Sequence, residues 1–503
     1  MEILDIMHSH YSCYAYILTV FIGTFLVCKF MKMKEAKNFG FYLLMNVVYL
    51  CLLFHPNVHC FGNSDILKFF ISLIYGAGIV WLYDIFSHYY SSLKFTDKIN
   101  IVKKYPYFCC LMCFFVIYSI LHIPSAVNTW IASSYAVNYS LGIGSRFLVG
   151  AFLHLLSPGF VSAKLAFWFC IISYLTVAAV ISFCFDILIK KTSSSYREMV
   201  IFLILLYIAS PFCINSYLNG FNFGRLESHT LLLMLLAVII YFNIKNNFIK
   251  YSLITVLTCM STAIYQGYIF LYYPMIVITM IVSLLALPKI SFREFVGPIV
   301  NVVITCLSFF YFQFFSYVKF NNSAEFSEAL KQMTNMPFEE KAVKFEFFQS
   351  MSDAYYNIAI PYLNARHPRE VLFATLLLLL PLIALIYYIY KAAWANKKQI
   401  KWFKNEYLYC LLINLVVLPQ FILNIDWGRW LIAVGTMVFF EIFLLVYLGN
   451  KGMIKALSQM NPLIKKYYFF CIVLIIYLAE LQAWGTSTET FWDSIKFYNR
   501  LFW

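Results

Sequence analysis

Apolar runs of roughly 18 or more residues recur along the whole 503-residue chain, and each is long enough to cross a bilayer as a helix. Short polar stretches break them. The pattern predicts about fourteen spans, at 12–31, 39–54, 66–87, 107–122, 164–189, 198–215, 230–244, 249–264, 268–287, 295–316, 371–390, 407–423, 431–448 and 467–484. Only "IYQGY" separates 249–264 from 268–287. The fold expected is all-α: a polytopic transmembrane helix bundle forming a single integral membrane domain over 1–503. The first run reads as a span and not as a cleavable leader, because no basic residue precedes it and Glu2 and Asp5 do. No internal repeat is evident, which argues against a transporter built from inverted repeats.

Two polar stretches are too long to be simple connections. The first, 123–163, contains "GIGSRFLVGAFLHLLSPGF", and Pro158-Gly159 ends its apolar segment. If that segment is helical, Arg146, Gly150 and His154 share one face, and the helix lies on or dips into a membrane surface. The second, 317–370, alternates charge with aromatic residues at helical spacing in "SAEFSEALKQM" and "PFEEKAVKFEFFQSMSDAYYNIAI". It predicts two short amphipathic helices.

Composition agrees with this pattern. The chain is 62% hydrophobic and 12% charged, with a mean hydropathy of +0.77, too little polar surface for a soluble protein of this length. The fourteen cysteines lie mostly inside apolar runs, including Cys110 and Cys113 in "YFCCLMCFF", so they read as core residues and not as a disulfide framework. A net charge of +14 would suggest nucleic acid in a soluble protein. Here it follows from basic loops on one membrane side, and no nucleic-acid partner is expected.

The lysines choose that side. They crowd one set of alternate loops, at 29–37, 94–104, 190–191, 245–250, 289, 391–404 and 451–466, which should face the cytoplasm. Both termini then face outward. Arginine runs the other way. Arg197 and Arg293 fall with the lysines, but Arg146, Arg225, Arg366, Arg369, Arg429 and Arg500 fall opposite. Orientation needs only positive charge, so arginine on the lysine-poor side requires another cause. Its planar guanidinium binds phosphate or carboxylate through two parallel hydrogen bonds and stays charged.

The outward loops also hold carboxylates, histidines and amides. In "SYLNGFNFGRLESH", Arg225, Glu227 and His229 open a span. Glu227 suits the positive end of a helix, but three ionisable groups at the hydrocarbon edge are costly unless partnered or wet. Gln266 in "AIYQGYIF" could hydrogen-bond a sugar, and "YLNARHPRE" clusters Arg366 and Arg369. In "NIDWGRW", Asp426 and Arg429 sit at i and i+3, either as a local ion pair or as part of a site, between Trp427 and Trp430, which fit an interfacial aromatic belt. Within the spans, Glu441 must pair, face a cavity or carry a proton. No nucleotide-binding glycine loop, H-E-x-x-H or dinucleotide fingerprint is present, so no metal or cofactor is expected.

An outward arginine set matches a phosphate carried at the membrane surface. Glycosyl transfer from a polyprenyl-(pyro)phosphate needs a cation for the departing phosphate and a base for the acceptor hydroxyl. The candidates are Arg429, Arg225, Arg146, Arg366 and Arg369 for the phosphate, Asp426, Glu227 and His229 for catalysis, and His154 and Gln266 for substrate contact. Through "SRFLVG" (145–150), "FGRLESH" (223–229) and "DWGRW" (426–430), and through its general layout, the chain resembles the membrane enzymes of bacterial surface-polysaccharide assembly. These are the O-antigen and exopolysaccharide polymerases and the GT-C-type lipid-linked-sugar glycosyltransferases. The resemblance implies a multi-pass protein of the bacterial inner membrane. It implies a polyprenyl-(pyro)phosphate-linked glycan as substrate, membrane lipid around it, and other polysaccharide-assembly proteins as partners. The competing class is a transporter or flippase of a lipid-linked sugar or another anion. That class needs polar groups along a path across the bilayer, whereas these residues gather at one face.

Overall fold

The computed structural model describes residues 104–218, 222–287, 291–348, 356, 360, 361, 376–396, 404–423 and 427–484. The expected spans 12–31, 39–54 and 66–87, together with Arg366, Arg369, Asp426 and both termini, lie outside the described residues.

The described chain is a helix bundle. Its helices are α1 (Pro106–His122), α2 (Ser133–Ala136), α3 (Phe147–Leu156), α4 (Ala163–Lys191), α5 (Arg197–Ala209), α6 (Glu227–Asn243), α7 (Asn247–Ile264), α8 (Tyr268–Leu271) and α9 (Tyr273–Leu285). They continue with α10 (Phe292–Phe314), α11 (Ser323–Met333), α12 (Glu340–Val343), α13 (Leu380–Ala395), α14 (Glu406–Ile413), α15 (Leu418–Leu423), α16 (Trp427–Tyr447), α17 (Lys451–Lys466) and α18 (Tyr468–Trp484). Local chemistry sets several starts. Ser162, Asn246, Asn322 and Asn450 accept backbone N–H groups at the heads of α4, α7, α11 and α17.

Among the described residues, five helices are long and apolar enough to cross a membrane: Ala163–Lys191, Arg197–Leu218, Asn247–Ile264, Glu294–Phe314 and Gly428–Tyr447. The bent pair Lys451–Lys466 and Tyr468–Ala479, turned by 97°, makes a sixth if counted as one span. Several expected spans are shorter or broken. The 230–244 run is the 17-residue α6. The 268–287 run divides at Tyr272 into α8 and α9. The 407–423 run is interrupted by a 3-10 turn at Asn414–Val417. The stretch read as a lysine-rich loop after 448 is instead the helix α17, which buries Met453, Ala456, Leu457 and Ile464 at helical spacing.

The centre of the bundle is α5, packed with α4 and α16. Every residue from Phe202 to Ala209 is buried. Tyr207 meets the rings of Phe439 and Phe440 at 5.5 and 5.4 Å, and Phe185 meets Phe443 at 5.2 Å. Trp430, expected in an interfacial belt, is fully buried at the head of α16. By contrast, α7 and α10 expose most of their apolar surface, including Phe248, Val256, Phe292, Leu307 and Phe314, as lipid-facing helices do. A polar ladder joins these two: Asn301 Nδ2 to Thr255 Oγ1 (3.0 Å), Thr258 Oγ1 to Thr305 Oγ1 (2.7 Å), Thr262 Oγ1 to Ser308 Oγ (2.7 Å) and Gln266 Nε2 to Gln313 Oε1 (3.5 Å). Residue numbers rise together along the ladder, so α7 and α10 run parallel and pack directly on each other. Between apolar helices, hydroxyl and amide contacts of this kind supply specificity that lipid-soluble side chains do not.

The connections gather at two ends. At one, Lys190 reaches the Asp186 carboxylate and the Lys104 carbonyl, and Lys191 Nζ donates to Tyr447 O at 2.7 Å. Lys465 pairs with Glu198 at 3.1 Å there. Asp186 also accepts the backbone N–H groups of Tyr107 (3.0 Å) and Phe108 (3.3 Å), closing the head of α1. At the other end, segments 123–162, 222–226, 263–266 and 315–348 are sewn together. Asn128 N donates to Phe223 O (3.1 Å), Arg146 N to Ala263 O (2.9 Å), Lys319 N to Leu141 O (2.9 Å) and Val161 N to Met333 O (2.8 Å). A two-stranded antiparallel ladder, β1 (Gly142–Ile143) with β2 (Tyr317–Val318), is part of this layer.

Candidate functional site

Two arginine–carboxylate pairs lie in the loop layer. The first joins Arg146 to Glu346 on the turn that follows α12. Arg146 is the one described non-glycine residue with positive φ, at 78°. That conformation is strained for a side chain with a Cβ and must be held by its surroundings. Three contacts hold it: the N–H on Ala263 O, the guanidinium on Glu346, and the Tyr265 ring 5.4 Å below the guanidinium. Arg146 therefore precedes α3 and does not share a helical face with Gly150 and His154, as its spacing predicts. Those two face α2. A Cβ on Gly150 would stand 2.0 Å from Val137 O, so only glycine permits this approach. His154 Nε2 donates to Ala136 O at 2.8 Å.

The second pair joins Arg429, at the head of α16, to Glu227, at the head of α6, across 202 positions of sequence. Asp426 is thus not needed to explain how Arg429 is neutralised. Arg429 also lies 5.2 Å from the buried Trp430 ring. Tyr135, Tyr217 and Tyr272 stand near enough to Glu227 to feel its charge, and Tyr217 and Tyr272 share a hydrogen bond of 2.5 Å.

Hydrogen bonds and neighbouring residues of the chain link the surroundings of the two pairs. Glu346 accepts from the hydroxyls of Ser134 (3.3 Å) and Ser133 (3.5 Å) on α2. The next residue, Tyr135, donates its hydroxyl to Gly224 O at 2.6 Å. That leaves its oxygen to accept from His229 Nε2 at 2.9 Å, and His229 Nδ1 to accept from Ser173 Oγ at 2.7 Å. Burial pushes the Tyr135 phenol well above its ordinary range, so the hydroxyl keeps the proton it donates. Gly224 supports the turn with φ of 90°, and a Cβ there would come within 2.5 Å of Val127. His229 lies two residues along α6 from Glu227.

The remaining candidates are scattered around these pairs. Arg225 is half-buried in the turn before α6, with its N–H on Asn222 O at 3.0 Å and its carbonyl accepting from Ser228 Oγ at 2.9 Å. Gln266 donates its N–H to Ser145 Oγ (3.0 Å) and its amide to Gln313, so it belongs to the α7–α10 ladder. A cavity of about 270 Å³ opens in the same layer, lined by Ser125, Ala126, Val127, Ala163, Lys164, Phe167, Met336 and Pro337. Away from it, Glu441 is buried inside α16 and accepts from Tyr390 OH (3.1 Å) and Asn414 Nδ2 (2.9 Å), where the 407–423 run breaks.

Sequence reasoning missed Glu346, Tyr135 and Ser173. Glu346 was one of several acids in a charged amphipathic stretch, and "SSYA" gave no signal beyond its hydroxyls. Comparison with protein-family models, with curated proteins and with solved structures finds no match for this chain.

Proposed function

We propose that the protein is a membrane glycosyltransferase or polymerase working at the loop-bearing end of the bundle. In this reading that end faces outward from a bacterial inner membrane. The donor is a glycan linked to a polyprenyl (pyro)phosphate, and the reaction belongs to surface-polysaccharide synthesis. The acceptor hydroxyl loses its proton to Glu227 while its oxygen bonds the anomeric carbon. The bond from that carbon to the phosphate oxygen breaks, and the leaving phosphate is received by arginine. His229 has both ring nitrogens engaged, so its role is to hold Tyr135 and the Gly224 turn in place. The supporting observation is that Glu227 and Arg429, a base and a cation of the required types, meet in the loop layer from opposite parts of the chain.

A test replaces Arg429, Arg225 and Asp426 singly in a strain lacking the native copy and follows surface-polysaccharide chain length. Single-repeat products are expected for a polymerase, and loss of a branch sugar for a branching transferase. Unchanged glycan in all three variants overturns the site. One observation favours a second reading, a transporter of lipid-linked sugar or another anion. Glu441 is a buried acid beside a helix break, as groups on transport paths are. On that reading Glu441→Gln abolishes transport, and lipid-linked intermediates accumulate on the inner side.

A further inference from the structure

The helix α4 has the length of a bilayer. Lys164 in its first turn and Lys190 in its last are 26 positions apart, about 39 Å of helical rise. A bilayer with its headgroups is about 40–45 Å thick, so the two lysines stand at opposite headgroup levels. Lys190 is bound there to Asp186. Lys164 is exposed, and among the described residues no carboxylate is paired with it. The helix itself gives no reason for it, since a cation in the first turn opposes the helix dipole. The cavity of about 270 Å³ lies beside this lysine. Its walls are residues 125–127, just past the end of α1, the start of α4, and residues 336–337. Hydrogen bonds hold these walls together: Val161 N donates to Met333 O (2.8 Å), Thr334 Oγ1 to Val161 O (2.6 Å) and Ala163 N to Asn335 Oδ1 (2.7 Å).

Six of the eight lining residues are apolar, among them Val127, Phe167 and Met336, and only Ser125 and Lys164 carry polar side chains. A polar solute would find too few hydrogen-bond partners on such walls. Pockets for whole small molecules run to about 300–1,000 Å³, so this volume suits part of a chain. Ile123, Phe160 and Trp168, exposed beside the walls, mark this level as lipid-facing. We propose that the cavity seats one acyl chain of an anionic phospholipid from the surrounding membrane, with the lipid phosphate on Lys164. Charge complementarity selects the headgroup, and the apolar walls take the chain. Glu339, two residues past Pro337, accepts from Thr129 Oγ1 at 2.8 Å and is not paired with the lysine. The bound lipid ties the adjoining ends of α1 and α4 to the segment at 336–337 and so seals the loop layer against the bilayer. Neither arginine pair takes part.

The test titrates full-length protein in mild detergent with dioleoyl phosphatidylglycerol and counts bound lipid by native mass spectrometry. Dioleoyl phosphatidylcholine is the zwitterionic comparison. One phosphatidylglycerol should be retained in preference to phosphatidylcholine. Lys164→Gln should weaken its binding about five-fold, the weight of one lysine at an anionic lipid surface. Ala126→Trp, at an exposed position of the wall, should fill the cavity and weaken binding at least as much with Lys164 intact. Lys331→Gln removes an exposed lysine that Glu328 and Glu340 already hold, and should leave binding unchanged. Glycerol phosphate, a headgroup without chains, should not bind. Unfolding temperatures establish that each variant is folded, and phosphatidylglycerol should raise that of the wild type more than that of Lys164→Gln. Unchanged retention by folded Lys164→Gln or folded Ala126→Trp overturns the proposal, and so does an equal loss in Lys331→Gln. A polyprenyl phosphate that displaces phosphatidylglycerol at equimolar amounts overturns it too, by giving the cavity to a different lipid.

Discussion

Separating the two members of the Arg146–Glu346 pair tests how the loop layer is held. Glu346 is almost wholly buried, so Arg146→Gln leaves a carboxylate in a dry site. Removing one partner of a buried pair costs about 3–5 kcal/mol. The serine hydroxyls at 3.3 and 3.5 Å still solvate Glu346, which points to the lower end, about 3 kcal/mol. Glu346→Gln leaves a more exposed guanidinium against the Tyr265 ring, at a smaller cost of about 1–2 kcal/mol. The double variant should be no worse than Arg146→Gln alone, giving a coupling of about 1–2 kcal/mol in a double-mutant cycle. Arg146→Gly adds a control. It loses the same pair, but glycine is at ease at φ 78°, so it should recover about 1 kcal/mol relative to Arg146→Gln. Detergent unfolding followed by tryptophan fluorescence ranks the four proteins. If Arg146→Gln is no less stable than Glu346→Gln, or if the double variant equals the sum of the singles, the buried-pair account fails.

Three further outcomes follow from the packing. Gly150→Ala should lower the unfolding temperature and Gly150→Val should lower it more, since any Cβ meets Val137 O; an unchanged value would mean α2 and α3 do not pack this closely. Thr305→Val should cost about 0.6 kcal/mol in unfolding assays and Thr258→Val more, because Thr258 Oγ1 also accepts from Asn301 Nδ2 at 3.3 Å, and the double variant should cost little more than Thr258→Val alone. Asp186→Ala should lower the unfolding temperature more than Asp186→Asn. Asparagine still offers an oxygen to the Tyr107 and Phe108 N–H groups and loses only the Lys190 pair.

The helical, membrane-spanning character was legible because apolar runs of that length and frequency have few other uses. Which loops meet was also legible, in part, from charge alone: alternate loops divide by lysine, and the segments at 123–162, 222–226, 263–266 and 315–348 do come together. Interruptions were harder to see. In "YCLLINLVVLPQF" the signal is Pro419, which lacks an N–H and clashes with the carbonyl one turn back, and the 3-10 turn at Asn414–Val417 lies in that preceding turn. The lysines of α17 hid its buried stripe of Met453, Ala456, Leu457 and Ile464. Both ion pairs were beyond reach, because their members are joined only by the fold. Asp426, three residues from Arg429, lies outside the described residues, and the partner that the fold supplies, Glu227, stands 202 positions away.

Burial gives a physical reason for arginine at two positions of the loop layer. At the first end Lys465 is 68% exposed, Lys190 reaches both the Asp186 carboxylate and the Lys104 carbonyl, and Lys191 reaches the Tyr447 carbonyl. A hydrated ammonium suits that work. In the loop layer Lys319, Lys331, Lys341 and Lys344 stay exposed, whereas Arg146 and Arg429 are largely buried against carboxylates and beside aromatic rings, where a weakly hydrated planar guanidinium suits the site. Burial thus favours arginine at 146 and 429 before any substrate is considered. A lysine at 429 could still neutralise Glu227 but could not grip a phosphate through a two-point fork. Arg429→Lys should therefore remain folded while binding pyrophosphate more weakly, and equal binding would reduce this arginine to a structural cation.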